Sequence, residues 1–150
     1  MNTCATYDDV NLILRLYDLR REEKLRQARE WFVISFHVNS LEELNALCPV
    51  GSDYNAYFRM VTTYWDMAAS FVAGGVLHRE LFFESNRELL LVWERLRPVI
   101  PALRESRKDP TSYHNIETVA EWFIEWLKKK GPEVYESFVT RMGPKPPGRS

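Results

Sequence analysis

The stretch HRELFFESNRELLLVWERLRPVIPALRESRK, residues 78–108, decides the fold class. It is rich in Leu, Glu and Arg, residues that favour helices, and no glycine interrupts it. Leu81, Leu90 and Leu91 widen its apolar surface beyond a single face, so we predict a central helix over about 78–108. Pro98 and Pro101 each remove a backbone donor, which predicts a kink or a break there. The main stripe has the spacing of one helical face and consists of Phe82, Ser85, Leu89, Val92, Trp93, Leu96 and Ile100.

Outward from this stretch, the same composition and spacing continue in both directions. Glycine and proline separate the helical stretches, and no alternating apolar and polar run indicates a sheet. The sequence predicts an all-α, single-domain bundle of about five main helices over residues 1–142, with a disordered Gly/Pro-rich tail over 143–150. The predicted helices cover about 6–37 (with a turn at the charged interval 20–24), 41–47, 52–73, 78–108 and 111–130, followed by a short helix after Pro132. In the first helix, Val10, Ile13, Leu14 and Tyr17 are predicted as one apolar face.

Composition excludes several classes of protein. At 150 residues and 45% hydrophobic, the chain is long enough for one core and too hydrophobic for intrinsic disorder. Twenty basic residues against twenty-one acidic ones create no field that attracts nucleic acid or anionic lipid, so neither partner is expected. No targeting pattern and no apolar stretch long enough to cross a bilayer is present, which predicts a cytoplasmic protein.

No pattern typical of an enzyme is present, and we expect neither catalysis nor a cofactor. The three histidines, His37, His78 and His114, lack the Glu-x-x-His pairing of di-iron bundles, and the two cysteines lie too far apart in the sequence to form a zinc motif. Cys4 and Cys48 are expected to be reduced thiols. Two weak sets leave a carboxylate metal enzyme as a third alternative. His114 with Glu117, Glu121 and Glu125 is interpreted as a solvated face, and His78 with Glu80 and Glu84 lies on one helix, which cannot supply a closed metal site alone.

The tryptophans provide the main functional candidates. Trp31, Trp65 and Trp93 lie on or beside apolar stripes and are expected in the core. Trp122 and Trp126 lie beside their stripe, which indicates either a wide buried face or a partner surface. The leading hypothesis is an interaction or regulatory module that forms a homodimer through helix 116–127. The alternative is a small-ligand-binding domain whose pocket is lined by Tyr64, Trp65 and Trp93.

Four blocks of the sequence resemble a family of small helical proteins whose function is not known. They are RREEK…AREWF at 20–32, YWDM at 64–67, GGVL…ELFF at 74–83 and LVWERLRP at 91–98. In this order they are similar to a bacterial family of small all-helical proteins classed as a domain of unknown function. The resemblance covers roughly residues 15–125 and implies an all-helical fold, but it supplies no catalytic residue.

Overall fold

The computed structural model describes residues 4–145. Over that span the chain is one all-α domain without strands, as predicted, although its helices are more numerous and shorter than the expected five. In chain order they are α1 (Tyr7–Arg20), α2 (Glu23–Ser35), α3 (Leu41–Leu47), α4 (Asp53–Ala73), α5 (Arg79–Ser85), α6 (Arg87–Leu96), a 3-10 turn (Arg97–Val99), α7 (Ile100–Arg107), α8 (His114–Lys130) and α9 (Val134–Met142).

The single helix predicted over 6–37 is in fact two helices. The chain breaks at Arg21 and Glu22, inside the charged interval that the sequence marked as a turn. Glu22 causes the restart, because its carboxylate accepts the Leu25 amide at 3.0 Å and so caps α2. At the other end, Thr6 and Asp9 form a capping box that fixes where α1 begins.

The predicted central helix over 78–108 is also divided. The break at the prolines was expected: Pro98 lies in the 3-10 turn and Pro101 in the first turn of α7. The break at Asn86 was not. Asn86 is 2% exposed, and its side-chain amide donates to the Phe82 carbonyl at 2.9 Å. This bond supplies a partner for one of the carbonyl groups in the last turn of α5.

The core is centred on α4 and α6. Helix α4 packs against α2 on one side and α8 on the other, and it also contacts α6. Every residue from Leu89 to Leu96 is buried, so α6 is enclosed on all sides. The prediction that this helix is central is therefore confirmed for its α6 portion, while α4 makes the more extensive packing.

The C-terminal segment returns to the domain. Helix α9 packs against α6 and α8 and buries its own residue Phe138. Of the predicted tail, Gly143 is buried and the Asn39 side-chain amide donates to the Lys145 carbonyl at 3.4 Å. Residues 146–150, the rest of that prediction, lie outside the described residues.

Candidate interaction surface

Helix α1 carries four exposed apolar side chains on one face. Tyr7, Val10, Leu14 and Tyr17 are 86%, 42%, 55% and 44% exposed. At 3.6 residues per turn, these four positions lie within an arc of about 80° along the whole length of the helix. A continuous exposed apolar face on a folded domain is typical of a surface that contacts a partner. We call these four residues the α1 stripe.

Three anchors hold α1 so that the α1 stripe points away from the core. The buried carboxylate of Asp9 accepts the His78 amide at 2.8 Å. Midway, the Tyr64 hydroxyl donates to the Leu16 carbonyl, and Leu16 itself is buried. At the end, Arg20 donates to the Asn86 side-chain oxygen at 2.7 Å. The α1 stripe is therefore preorganised on a fixed helix.

Charged groups at the two ends of α1 differ in sign. The first turn contains Asp8 and Asp9, whereas the last turn contains Arg20 and is followed by Arg21. The guanidinium groups of Arg20 and Arg21 lie 4.9 and 5.4 Å from the centre of the Tyr17 ring. The Tyr17 ring is thus bordered by two cations of its own chain.

Trp122 and Trp126 are half-buried, and both rings contact their own chain. The Arg79 guanidinium lies 3.5 Å from the centre of the Trp122 ring, and the Lys130 ammonium lies 4.1 Å from that of Trp126. Trp126 also packs against Phe83 and Phe123. These contacts cover much of the predicted partner surface with cations and core aromatics. Its role in dimerisation stays a prediction.

Tyr64, Trp65 and Trp93, the predicted pocket residues, are at most 7% exposed and belong to the core cluster. The Tyr64 and Trp65 rings meet edge to face with their centres 5.0 Å apart. Burial of the Tyr64 hydroxyl raises its pKa. Trp65 donates its indole N–H to Glu88 at 3.0 Å, so its polar atom is already paired. The structure thus brings Tyr64 and Trp65 together as packing groups.

A groove of about 430 Å³ lies beside this cluster, but charged rather than aromatic side chains dominate its lining. At its base, Arg29 pairs with Glu88 through two hydrogen bonds of 2.7 and 3.1 Å and also donates to the Arg20 carbonyl. Arg29 and Glu88 therefore form a structural pair between α2 and α6. The groove is lined by Arg26, Arg29, Glu30, Val33, Ile34 and Glu88.

A second polar centre fixes the C-terminal segment. Arg95 is 3% exposed and donates to the carbonyls of Phe32, Val33 and Met142 at 3.0, 2.6 and 2.9 Å. Burial lowers the pKa of this guanidinium to about 10, so it stays charged at neutral pH. Nearby, burial and then the charge of Arg95 lower the pKa of His37. The hydrogen bonds of Arg95 thus join α2, α6 and the end of α9.

The two weak metal-ligand sets do not converge. Among residues 4–145, no group of three or more His, Cys, Asp or Glu side chains is placed to hold a metal ion. Glu117 pairs instead with Arg104 at 3.1 Å, and His78 caps α5 by accepting the Leu81 amide. The Cys48 thiol is buried and donates to the Leu44 carbonyl, and burial raises its pKa.

The sequence did not separate the α1 stripe from the core-facing side of the helix. It grouped Val10, Ile13, Leu14 and Tyr17 as one face, yet only Ile13 of these packs against the core. The signal that separates them is in the sequence: Leu12, Ile13 and Leu16 form a second apolar face, and this second face packs against the core.

Comparison with protein families supplies the remaining context. The family model described as Domain of unknown function (DUF4760) matches residues 5–126. This chain belongs to that family. The match confirms that the chain belongs to a domain-of-unknown-function family, as the four sequence blocks indicated, and it spans α1–α7 and most of α8. The DUF4760 region thus includes the α1 stripe, whereas α9 follows its end. No curated protein and no solved structure matches the chain.

One property of this DUF4760 chain bears on membranes. Within residues 4–145, no helix combines the length and the apolar character that crossing a bilayer requires. Helix α4, the longest at 21 residues, carries Asp53, Arg59 and Asp66.

Proposed function

We propose that this chain is a non-enzymatic interaction module that self-associates. The observation that supports the proposal is the α1 stripe, four large apolar side chains exposed on one face of a rigidly anchored helix. Leaving such a surface in water is unfavourable, and a second protein surface removes it from water. A bacterial cytoplasm as its setting remains an expectation of the sequence.

Light scattering over a range of protein concentrations tests the proposal. The wild-type protein is expected to move from monomer towards dimer as concentration rises. The double variant Val10→Glu/Leu14→Glu should stay monomeric, because two carboxylates in the contact must lose their hydration. Arg15→Glu is the matched control, since it changes the charge of α1 by the same amount away from the stripe.

The variant Trp122→Glu/Trp126→Glu decides between surfaces. If it alone abolishes the dimer while retaining helical circular dichroism, self-association uses α8, as the sequence first indicated. If the wild-type protein remains monomeric at every concentration, the proposal of self-association is wrong.

We propose small-ligand binding as a second candidate function, supported by the groove beside Arg29 and Glu88. Its volume of about 430 Å³ lies within the usual range of ligand pockets, and it combines the exposed Ile34 with charged groups. Native mass spectrometry of freshly purified protein is expected to show added mass, which Ile34→Arg should remove. Protein of the bare chain mass in both cases would eliminate this candidate.

A further inference from the structure

The α1 stripe has the same pattern in both directions along the helix. From Tyr7 to Tyr17 it contains an aromatic, two aliphatic and an aromatic residue, separated by three, four and three positions. Reversing the helix reproduces both the order of residue types and the spacing. A two-fold contact joins identical surfaces, so two helices that pair in opposite directions require this internal symmetry.

We propose that the partner of α1 is α1 of a second copy, running antiparallel about a two-fold axis. The proposal deepens the proposed self-association and rests on it. In this arrangement Tyr7 lies against Tyr17 of the partner subunit, and Val10 lies against Leu14 of the partner subunit. Each residue of the stripe then meets a side chain of its own kind and similar size.

The charges along α1 favour the antiparallel direction. A parallel pair places Asp18 level with Asp18 of the partner subunit, and Arg21 level with Arg21 of the partner subunit. The antiparallel pair separates the two copies of Asp18 by twelve residues along the helix, about 18 Å at 1.5 Å per residue. Antiparallel pairing also places the N-terminus of each helix beside the C-terminus of the other, so the two helix dipoles attract.

The two exposed tyrosine rings of α1 also favour the antiparallel direction. Tyr17 lies beside the guanidinium groups of Arg20 and Arg21, whereas Tyr7 is 86% exposed at the acidic end. Antiparallel pairing lets Tyr7 pack on Tyr17 of the partner subunit, next to these cations. Aromatic packing and cation–π attraction then act together at both ends of the contact.

The size of the surface determines the strength of the pair. Helix α1 has 14 residues and is about 21 Å long. One helix of this length packed on another covers less than the ~800 Å² per partner of a standard interface. The dimer is therefore weak and forms as protein concentration rises, which makes it reversible.

Disulfide cross-linking tests the direction of pairing. Val10→Cys and Leu14→Cys are each made in a Cys4→Ser background, and one of the two carries a size tag. Cys48 remains buried and unreactive in both. In the antiparallel pair, residue 10 lies level with residue 14 of the partner subunit, so oxidising the mixture should give the tagged–untagged heterodimer. Each variant alone should form no cross-link. Its cysteine and the same cysteine of the partner subunit are offset by about 6 Å along the helix axis, and the distance between the two helices adds to this offset.

The outcomes separate this proposal from the broader one. A heterodimer in the mixture together with uncross-linked single variants supports antiparallel pairing. A dimer in light scattering without this cross-link, or with equal cross-linking of each variant to itself, overturns antiparallel pairing and leaves self-association intact. A monomer that binds neutral phospholipid vesicles through Leu14 overturns both, because the stripe then faces lipid. Since both sites are exposed, circular dichroism should show that the variants retain their helical content.

Discussion

At the scale of single residues, Asp9 shows how one side chain fixes a surface. Its carboxylate accepts the Thr6 amide at 2.7 Å, the Thr6 hydroxyl at 3.0 Å and the His78 amide at 2.8 Å. The hydrogen bond from the Thr6 amide, followed by that from the His78 amide, lowers the pKa of Asp9. One residue therefore starts α1 and joins it to the start of α5.

The first prediction concerns Asp9→Asn. An amide offers one acceptor oxygen instead of two, so one of these bonds is lost, at a cost of about 1 kcal/mol at neutral pH. Because the folded-state pKa is lowered, the carboxylate stabilises the fold above its unfolded pKa, and that contribution is lost as pH falls through the folded pKa. Urea unfolding across this range should show the two proteins converging in acid.

Asp8→Asn is the control for this experiment. Asp8 lies in the same turn but is exposed, so its replacement should leave the urea midpoint near the wild-type value. A difference between Asp9→Asn and the wild-type protein that persists unchanged into acid would mean that the charge of Asp9 contributes nothing.

At the scale of elements, α9 shows how a helix beyond the family match attaches to the domain. The Tyr135 hydroxyl donates to Glu94, whose side chain is 4% exposed, and Arg97 donates to the same carboxylate at 3.0 Å. Burial, and then the hydrogen bond to Glu94, raise the pKa of Tyr135 to about 12. Arg95 holds the end of α9 through the Met142 carbonyl.

The second prediction is that α9 detaches in alkali. A raised folded-state pKa means that protonated Tyr135 stabilises the docked helix fully below its unfolded pKa, near 10, and that this contribution is lost as pH rises towards 12. Tyrosinate absorbance should show Tyr135 titrating late, together with Tyr64, whose pKa burial also raises. Cleavage by a protease active in alkali should begin in residues 131–145 over the same range.

Tyr135→Phe separates this effect from general alkaline unfolding. The variant should lose one of the two late-titrating groups and keep that of Tyr64, and its C-terminal segment should already be cut faster at neutral pH. If the amplitude of the late titration is the same in Tyr135→Phe as in the wild-type protein, the assignment to Tyr135 is wrong.

At the scale of the whole molecule, the core surrounds α4 and α6, and the interaction surface lies outside it on α1. Trp93 is 4% exposed on the enclosed helix α6, so its burial, expected from the sequence, is confirmed. Since α6 contacts α4, α8 and α9, loss of this ring affects several elements at once.

The third prediction is that Trp93→Ala lowers the free energy of unfolding by about 3–5 kcal/mol, the usual cost of removing a large buried aromatic side chain. Urea unfolding followed by circular dichroism measures it. Trp93→Phe should lose less, because it retains part of the buried ring. A midpoint for Trp93→Ala close to that of the wild-type protein would mean that the ring does not anchor the core.

The sequence by itself determined the fold class, most helix boundaries and the buried stripes. These follow from local information: spacing of three and four, caps such as Ser40 and Ser52, and breakers such as Pro98. It did not determine the break at Asn86, because the groups that Asn86 bonds include Arg20, 66 residues away.

Only the tertiary structure decided which of two apolar faces of α1 is buried. Leu16 faces the core and Leu14 faces solvent, although both are leucines two positions apart in one helix. The choice is made by Asp9, Leu16 and Arg20, whose partners His78, Tyr64 and Asn86 come from distant parts of the chain. Periodicity shows that a helix has an apolar face, but contacts between distant residues decide whether that face meets the core or a partner.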